Sequence, residues 1–286
     1  MNPLFVKLVP MTKILNGLEL AGYIKERQAK QVRALRQSWK VFPHLTIVQM
    51  GEHHVINKYS KLKSAYGEDI LVEVDVLDTS AAGIIDQIEK LNHDDNIHGI
   101  IVQLPLADTS LTNDALAAVE PTKDIDGLGE KSTYIPATAT AVDWLLNGYN
   151  IDLSDKKIAI IGKGKLVGAP LAKLWKNAGY DVTICDTKTL DLAAVLRTAN
   201  VIVTATGVPG LVRSDMIQTN TVVVDAGTAS KDGKIVGDLD GDVRQRQDLA
   251  ITPITGGVGP LTVAALFDNV ITAAQKVADQ KGQQDI

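Results

Sequence analysis

The stretch Lys157–Pro170, "KIAIIGKGKLVGAP", decides the fold. Ile158–Ile161 form a short apolar run of the kind that parallel sheets bury on both faces. The rest places Gly162, Gly164 and Gly168 at the mouth of a helical pattern, "VGAPLAKLWKNAG". Without a Cβ the turn can be tight and a diphosphate can approach the backbone, while the amides at the helix N-terminus face its oxygens. The spacing G-x-G-x-x-x-G is one residue longer than the commonest dinucleotide fingerprint. Its weight comes from context: strand before, helix after, and a second strand, "YDVTICD", ending in Asp186. An acid at that place accepts from a ribose 2′-hydroxyl and favours NAD. Lys163, Lys165 and Lys188 can instead neutralise a 2′-phosphate and favour NADP. These signals oppose each other, and the ordinary alternative is a solvated rim of alternating charge.

Outward from this turn the chain keeps an α/β rhythm. Downstream lie the strand patterns "NVIVTAT", "TVVVDAG" and "LAITPI", then the helical pattern "LTVAALFDNVITAAQKVADQ" and a polar tail expected to fray. Upstream, "NGLELAGYIKERQAKQVRALRQ" predicts an amphipathic helix with Leu20, Ile24, Val32 and Leu35 near one stripe. After it, "LTIVQM", "LVEVDVL" and "HGIIVQL" alternate as strands with helical patterns. The first of these helices is expected to close at Gly67 in a C′ position. "PTKDIDGLGE" is a polar break and "ATAVDWLLNGYN" a connecting helix. The expected class is α/β: two α/β domains with a cleft between them, the second a Rossmann-type dinucleotide-binding domain. A small-molecule site is most expected in such a cleft.

Bulk properties narrow the function. A net charge of −5 gives no electrostatic support for a nucleic-acid partner. The single cysteine, Cys185, cannot form an intramolecular disulfide and fits a reducing, cytoplasmic compartment. No apolar run reaches the ~18 residues a membrane span needs. The start, "MNPLFVKLVPMTK", does not read as a signal peptide. No metal site is assigned.

The chemistry centres on "VINKYSKLKSAYG", Val55–Gly67. On a helix Tyr59 and Lys63 are four apart and share a face, whereas Lys58 and Lys61 point elsewhere, as solvent lysines do. A desolvated lysine can lose its proton near neutrality and act as a base. The Tyr59 ring could stack on a flat substrate while its hydroxyl bonds to the lysine. Most such pairs are surface packing. Gln103, however, ends a parallel strand at its carboxyl edge, where α/β ligand sites lie. "KDIDGLG" supplies Asp124 and Asp126 in a turn, and a carboxylate can grip an aminopyrimidine edge by two parallel hydrogen bonds. Taken singly, each reads equally well as a strand-ending amide or Asp-Gly turn chemistry.

"YSKLK", "GIIVQLPL", "KDIDGL", "GKGKLVGAP" and "ITPITGGVGPLTVAAL" follow one another in an order and spacing that resembles the bifunctional methylenetetrahydrofolate dehydrogenase/methenyltetrahydrofolate cyclohydrolase family, from about Lys13 to Lys276. The resemblance implies a folate domain over 1–134, completed by the C-terminal helix 261–286, and a Rossmann domain over 135–260. It implies hydride transfer from 5,10-methylenetetrahydrofolate, then hydrolysis of the methenyl product to 10-formyltetrahydrofolate, within the one-carbon metabolism that serves purine biosynthesis. Lys63 would be the catalytic lysine, Tyr59 its folate-packing neighbour, Gln103 its hydrogen-bond partner and Asp126 the pteridine anchor, with Asp124 structural. Gly257 and Pro260 would line the folate. Gly162, Lys163, Gly164, Val167, Gly168, Asp186, Thr187 and Thr228 would meet the cofactor, NADP by family default, with NAD the alternative.

The resemblance also implies a homodimer, for which the apolar stretch "NVIVTAT" is an edge that could pair. The chain departs from the family at Gly164 (commonly Ser), Asp186 (commonly His), Ala137 in "PATA" (commonly Cys) and Leu261 (commonly Met). It has a short segment between Asp126 and Pro136. The cofactor departures leave NAD open. The short segment leaves open a dehydrogenase without cyclohydrolase activity, and a non-catalytic folate- or nucleotide-binding homologue is the remaining alternative.

Overall fold

The computed structural model describes residues 12–51, 54–231 and 234–284. The leader reading of residues 1–11, the side chain of Lys58 and the last two residues of the tail lie outside that description. The chain opens with β1 (Lys13–Ile14), α1 (Gly17–Ala34, continued by a π-helical turn Leu35–Trp39), β2 (His44–Gln49), α2 (His54–Ile70) and β3 (Glu73–Asp78). Then come α3 (Ile84–Asn92), β4 (Gly99–Val102), α4 (Thr112–Ala118), α5 (Ala137–Gly148), β5 (Lys157–Ile161), α6 (Gly168–Asn177) and β6 (Asp181–Cys185). The last are α7 (Leu192–Leu196), β7 (Val201–Thr204), β8 (Val222–Asp225), β9 (Ala229–Lys231), β10 (Lys234–Val236), β11 (Ala250–Ile251) and α8 (Val258–Gln284). The tail expected to fray is helical as far as Gln284.

Packing divides the chain into two compact units. One joins the residues through Leu18 to Val142–Gly259; the other joins Glu19–Ala141 to the segment from Pro260 onward. The first contains a six-stranded parallel sheet in the order β1-β11-β8-β7-β5-β6. From β5 the chain moves outward to β6, then returns across β5 to β7 and continues to β8 and β11. The direction of winding therefore reverses between β5 and β7, and in such sheets a crevice opens outside the carboxyl ends of the strands at that point. Ile158–Ile161 and Val201–Thr204 are buried throughout, which explains why they read as continuous apolar runs.

Two expectations about this unit change. The sequence boundary of 135–260 omitted β1, whose edge pairing (Lys13 N to Leu249 O, 3.0 Å; Leu15 N to Ile251 O, 2.9 Å) brings the first segment into this unit. β7 is bonded to β5 on one side and β8 on the other, so "NVIVTAT" is an interior strand with no edge left to pair with a second copy. The antiparallel hairpin β9–β10 was not anticipated.

The second unit holds a three-stranded parallel sheet, β3-β2-β4. Val48, Ile100 and Val102 pack with Ile84 and Ile88 of α3 and Leu116 of α4. Around α1, α2 and α8 the core includes one satisfied polar side chain. Buried Gln28 donates to Ala264 O at 2.8 Å and accepts from Tyr66 Oη at 2.8 Å, while the Tyr66 and Phe267 rings stack with centroids 4.9 Å apart. Burying an amide costs little when both ends are bonded.

Gly67 is not the C′ residue. It lies inside α2, and Leu71, at φ 66°, takes the left-handed position that ends the helix. A Cβ on Gly67 would overlap Val74 Cγ2 and lie 2.9 Å from Val72 O and 3.3 Å from Phe267 Cε1. The glycine therefore lets β3 and α8 approach α2. Gly67→Ala is expected to lower stability by about 1–3 kcal/mol through overpacking. Gly22→Ala, in open space on α1, should raise it by about 0.5–1 kcal/mol. Urea unfolding of the two variants beside the parent checks both signs.

Candidate active site

In the three-stranded unit, β4 ends at Val102, and Gln103 follows at the carboxyl edge with its N–H donated to Val48 O (2.8 Å). Lys63 reaches from α2 to donate its Nζ to Gln103 Oε1 at 2.7 Å. Gln103 Nε2 in turn donates to Leu104 O at 3.0 Å, which fixes which end of the amide faces the lysine. A cis peptide bond joins Leu104 to Pro105. Burial pulls the Lys63 pKa below the ordinary lysine value, and the Asp126 carboxylate pulls the other way. The same burial pushes Asp126 up, Lys63 holds it down and Asp124 adds to the rise. The amine and the carboxylate thus disfavour their charged forms by burial and favour them through each other. Tyr59 shares the helix with Lys63 and is 39 % exposed. Its hydroxyl makes no bond to the lysine, contrary to the expected pairing, because the amine is turned to Gln103. Lys61 is exposed, as expected of a solvent lysine.

Asp126 sits in a turn held from several sides. The Asp124 carboxylate accepts from Gly127 N (3.2 Å) and Gly129 N (2.8 Å), so this aspartate closes the turn on itself. Lys123 donates to three carbonyls at the end of α3: Leu91 O (3.1 Å), Asn92 O (2.8 Å) and Asp94 O (2.7 Å). Asn269 of α8 donates to Ile125 O at 2.8 Å. Sequence reasoning missed Lys123 and Asn269; a lysine shortly after α4, of the kind that can cap a helix C-terminus, was the available signal for the first.

In the six-stranded unit the glycine turn sits at the β5–β7 reversal. Gly162 has φ 100°, and a Cβ there would lie 3.0 Å from Ala205 C and 3.3 Å from Thr206 Cγ2, beyond the end of β7. A Cβ on Gly168 would overlap the carbonyl of Gly162, so the start of α6 can lie against the end of β5 only without one. A Cβ on Gly164 would meet nothing within 4 Å, so no steric demand excludes the commoner serine. This cradle fits a dinucleotide diphosphate by the criterion of close backbone approach. Val167 is partly buried at the head of α6, while Lys163, Lys165, Thr187 and Thr228 are exposed. Lys163 Nζ lies 3.4 Å from Asp186 Oδ2, and Asp186 Oδ1 accepts from Lys188 N at 2.9 Å. The latter bond is the main cause holding the Asp186 pKa below the usual carboxylate range.

Beneath this rim are carboxylates that the sequence reading passed over. Buried Asp238 accepts from Thr204 Oγ1 (2.5 Å) and Thr206 N (2.7 Å), which anchors the turn after β7. Asp225 accepts from Asp238 N (3.1 Å) and pairs with Arg244 (2.8 Å). Gly256 takes φ 82°, Gly257 is packed on Thr252, and Pro260 falls in the first turn of α8, where no N–H is needed.

A glycine cradle at the switch point of one sheet, and a desolvated lysine at the carboxyl edge of another, are the marks of a dinucleotide-dependent α/β enzyme. Two family profiles match: the tetrahydrofolate dehydrogenase/cyclohydrolase catalytic domain over residues 15–126, and the NAD(P)-binding domain of the same name over residues 136–278. The chain belongs to the tetrahydrofolate dehydrogenase/cyclohydrolase family. It is 35% identical over 277 residues to the bifunctional protein FolD of Macrococcus caseolyticus, covering 92% of this chain and 98% of that one. The bifunctional FolD structure from Campylobacter jejuni superposes with a TM-score of 0.88 at 34% identity, covering 93% of this chain and 99% of that one. The Trypanosoma brucei enzyme, solved with NADP cofactor and an inhibitor, gives 0.87 at 28% identity, with 94% and 99% covered. Among the described residues no helix is long and apolar enough to cross a membrane.

The two glycines test the cradle. Gly168→Ala should weaken dinucleotide binding by about tenfold or more, equivalent to ~1.4 kcal/mol, while Gly164→Ser should leave it near the parent value. Fluorescence titration of each variant with NADPH separates them.

Proposed function

We propose that this chain oxidises 5,10-methylenetetrahydrofolate to the methenyl form with NADP and then hydrolyses that product to 10-formyltetrahydrofolate. The observation that carries the reading is the Lys63 Nζ–Gln103 Oε1 hydrogen bond of 2.7 Å, made by an amine whose proton is loosened by burial. The unit built on Glu19–Ala141 and the segment from Pro260 onward is assigned the folate chemistry, and the other unit the dinucleotide.

When bound, the dinucleotide accepts the hydride, a step that depends on positioning above all. Gly162 and Gly168 admit the diphosphate, and Lys163, Lys165 and Lys188 are the cations assigned to a 2′-phosphate. Asp126 receives the aminopyrimidine edge of the pteridine, Tyr59 covers its ring, and Pro260 lines it. Hydrolysis requires a proton to leave the attacking water as its oxygen joins the methenyl carbon. Neutral Lys63 takes that proton at Nζ as the π pair of the methenyl C=N bond moves onto the nitrogen. The proton then passes to that nitrogen as its bond to the one-carbon unit breaks, and the second water proton leaves to solvent as the formyl carbonyl forms. Gln103 holds the amine by an acceptor that binds the charged and the neutral form alike. A cationic substrate beside the site further disfavours the ammonium. By analogy with its family the protein is assigned to the cytoplasm as a homodimer; sedimentation as a monomer at micromolar concentration would remove the second assignment.

The acid limb of the hydrolysis profile tests the base. Activity should rise with pH as Lys63 loses its proton, and Lys63→Met should abolish hydrolysis of methenyltetrahydrofolate followed without dinucleotide. Asp126 raises the lysine pKa, so Asp126→Asn should move that limb to lower pH and raise the folate KM more than the NADP KM. Unaltered hydrolysis in Lys63→Met would remove the lysine from its role. A second measurement concerns the cofactor: Asp186→Ser frees Lys163, and the NADP-to-NAD ratio of kcat/KM should rise by about three- to tenfold, the range expected of an exposed ion pair turned toward phosphate.

A further inference from the structure

Two glutamines stand at the carboxyl ends of adjacent strands in the three-stranded sheet, Gln49 ending β2 and Gln103 following β4. Helix α2 answers both with side chains three residues apart. Lys63 donates to Gln103 Oε1 at 2.7 Å, and Ser60 donates its hydroxyl to Gln49 Oε1 at 3.0 Å. Gln49 Nε2 continues the chain to Asp78 Oδ1 at 2.8 Å, its register partner on β3. Ser60 and Gln49 are 3 % and 4 % exposed. Ser64 Oγ donates to Ser60 O at 3.1 Å, which ties the next turn of the helix to the same point.

The apolar packing under α2 is non-directional and sets depth better than rotation. Toward its C-terminal end α2 is held by Tyr66 on Gln28. At the turn that bears Lys63, two contacts on one face, three residues or ~4.5 Å apart along the axis, fix the local rotation of the helix on the sheet. Gln49 has partners at both ends of its amide, so its burial carries no unsatisfied group in this chain of bonds and adds direction to the packing.

We infer that Ser60 and Gln49 are positioning residues for the hydrolytic step: they fix the roll of α2 so that the Lys63 amine stays on Gln103 and out of water. The inference rests on Lys63 being the base. Without the second contact, the turn of α2 that bears Lys63 loses its polar hold on β2 and can shift against the sheet. The amine then regains water, and the desolvation that loosens its proton is relieved.

The test is hydrolysis of methenyltetrahydrofolate by the full-length enzyme without dinucleotide, followed against pH, with KM and melting temperature measured in parallel. Ser60→Ala should lower kcat by about tenfold, the scale of a misplaced catalytic group, with KM held within about twofold. Its acid limb should move to higher pH, because a better-solvated amine keeps its proton longer. Ser60→Thr, which retains the hydroxyl, should restore both. A purely structural role would lower the melting temperature and leave the limb in place; that result, or parent kcat and parent limb in Ser60→Ala, overturns the inference. Should Ser60→Ala fail to fold, Ser60→Ala/Gln49→Leu leaves no glutamine unpaired and carries the same expectation, and a parent profile in it is equally fatal. Hydrolysis surviving in Lys63→Met would instead overturn the reading of the base itself. Its loss in Lys63→Met beside an unshifted Ser60→Ala overturns only the positioning role.

Discussion

Taking an ammonium ion out of water disfavours its charge, and the three-stranded unit is arranged so that this cost falls on Lys63. The side chain that receives the amine is an amide, Gln103. A carboxylate in that place would fix the position of the amine and also its proton. An amide oxygen accepts from either form, so it holds the nitrogen without choosing its charge. The choice is left to burial on one side and Asp126 on the other. The turn bearing Asp126 is closed by Asp124 and fastened to α3 through Lys123 and to α8 through Asn269.

The two sheets obey one rule by different means. Both present their chemistry at the carboxyl ends of parallel strands. In the three-stranded sheet those ends carry Gln49 and Gln103, long polar side chains bonded to α2, with Asp78 beside Gln49. In the six-stranded sheet the ends of β5 and β7 are cleared instead: Gly162 and Gly168 remove side chains so that the turn after β7 and the start of α6 can close on the end of β5. The support there is recessed. Arg244 pairs with Asp225, Asp225 holds the backbone of Asp238, and Asp238 holds the turn after β7.

Elements with a local signal were legible in the sequence. The apolar runs at Ile158–Ile161 and Val201–Thr204, the spacing of Tyr59 and Lys63, and the glycine turn all follow from residues close in the chain. The misreadings depend on distant partners. Gly67 looks like a helix stop until Val74 and Phe267 are seen against it. "NVIVTAT" looks like any β-strand, and nothing within it reveals that β5 and β8 occupy both its sides. β1 is two residues long and exists only because β11 offers an edge. Ser60 and Gln49 pass for ordinary polar positions, since a hydroxyl and an amide eleven residues apart announce nothing until the helix folds back over the strand.

The pairing of β1 with β11 has a consequence for biosynthesis. Thr12 Oγ1 bonds to the carbonyl of Arg246, 234 positions later. The other unit waits in the same way, because Gln28 and Tyr66 find Ala264 and Phe267 only on the last helix. On the ribosome, the six-stranded unit cannot close before β11 emerges, and the other unit cannot close before α8. A product terminated ahead of β11 therefore leaves two incomplete cores instead of one sound module and one missing module.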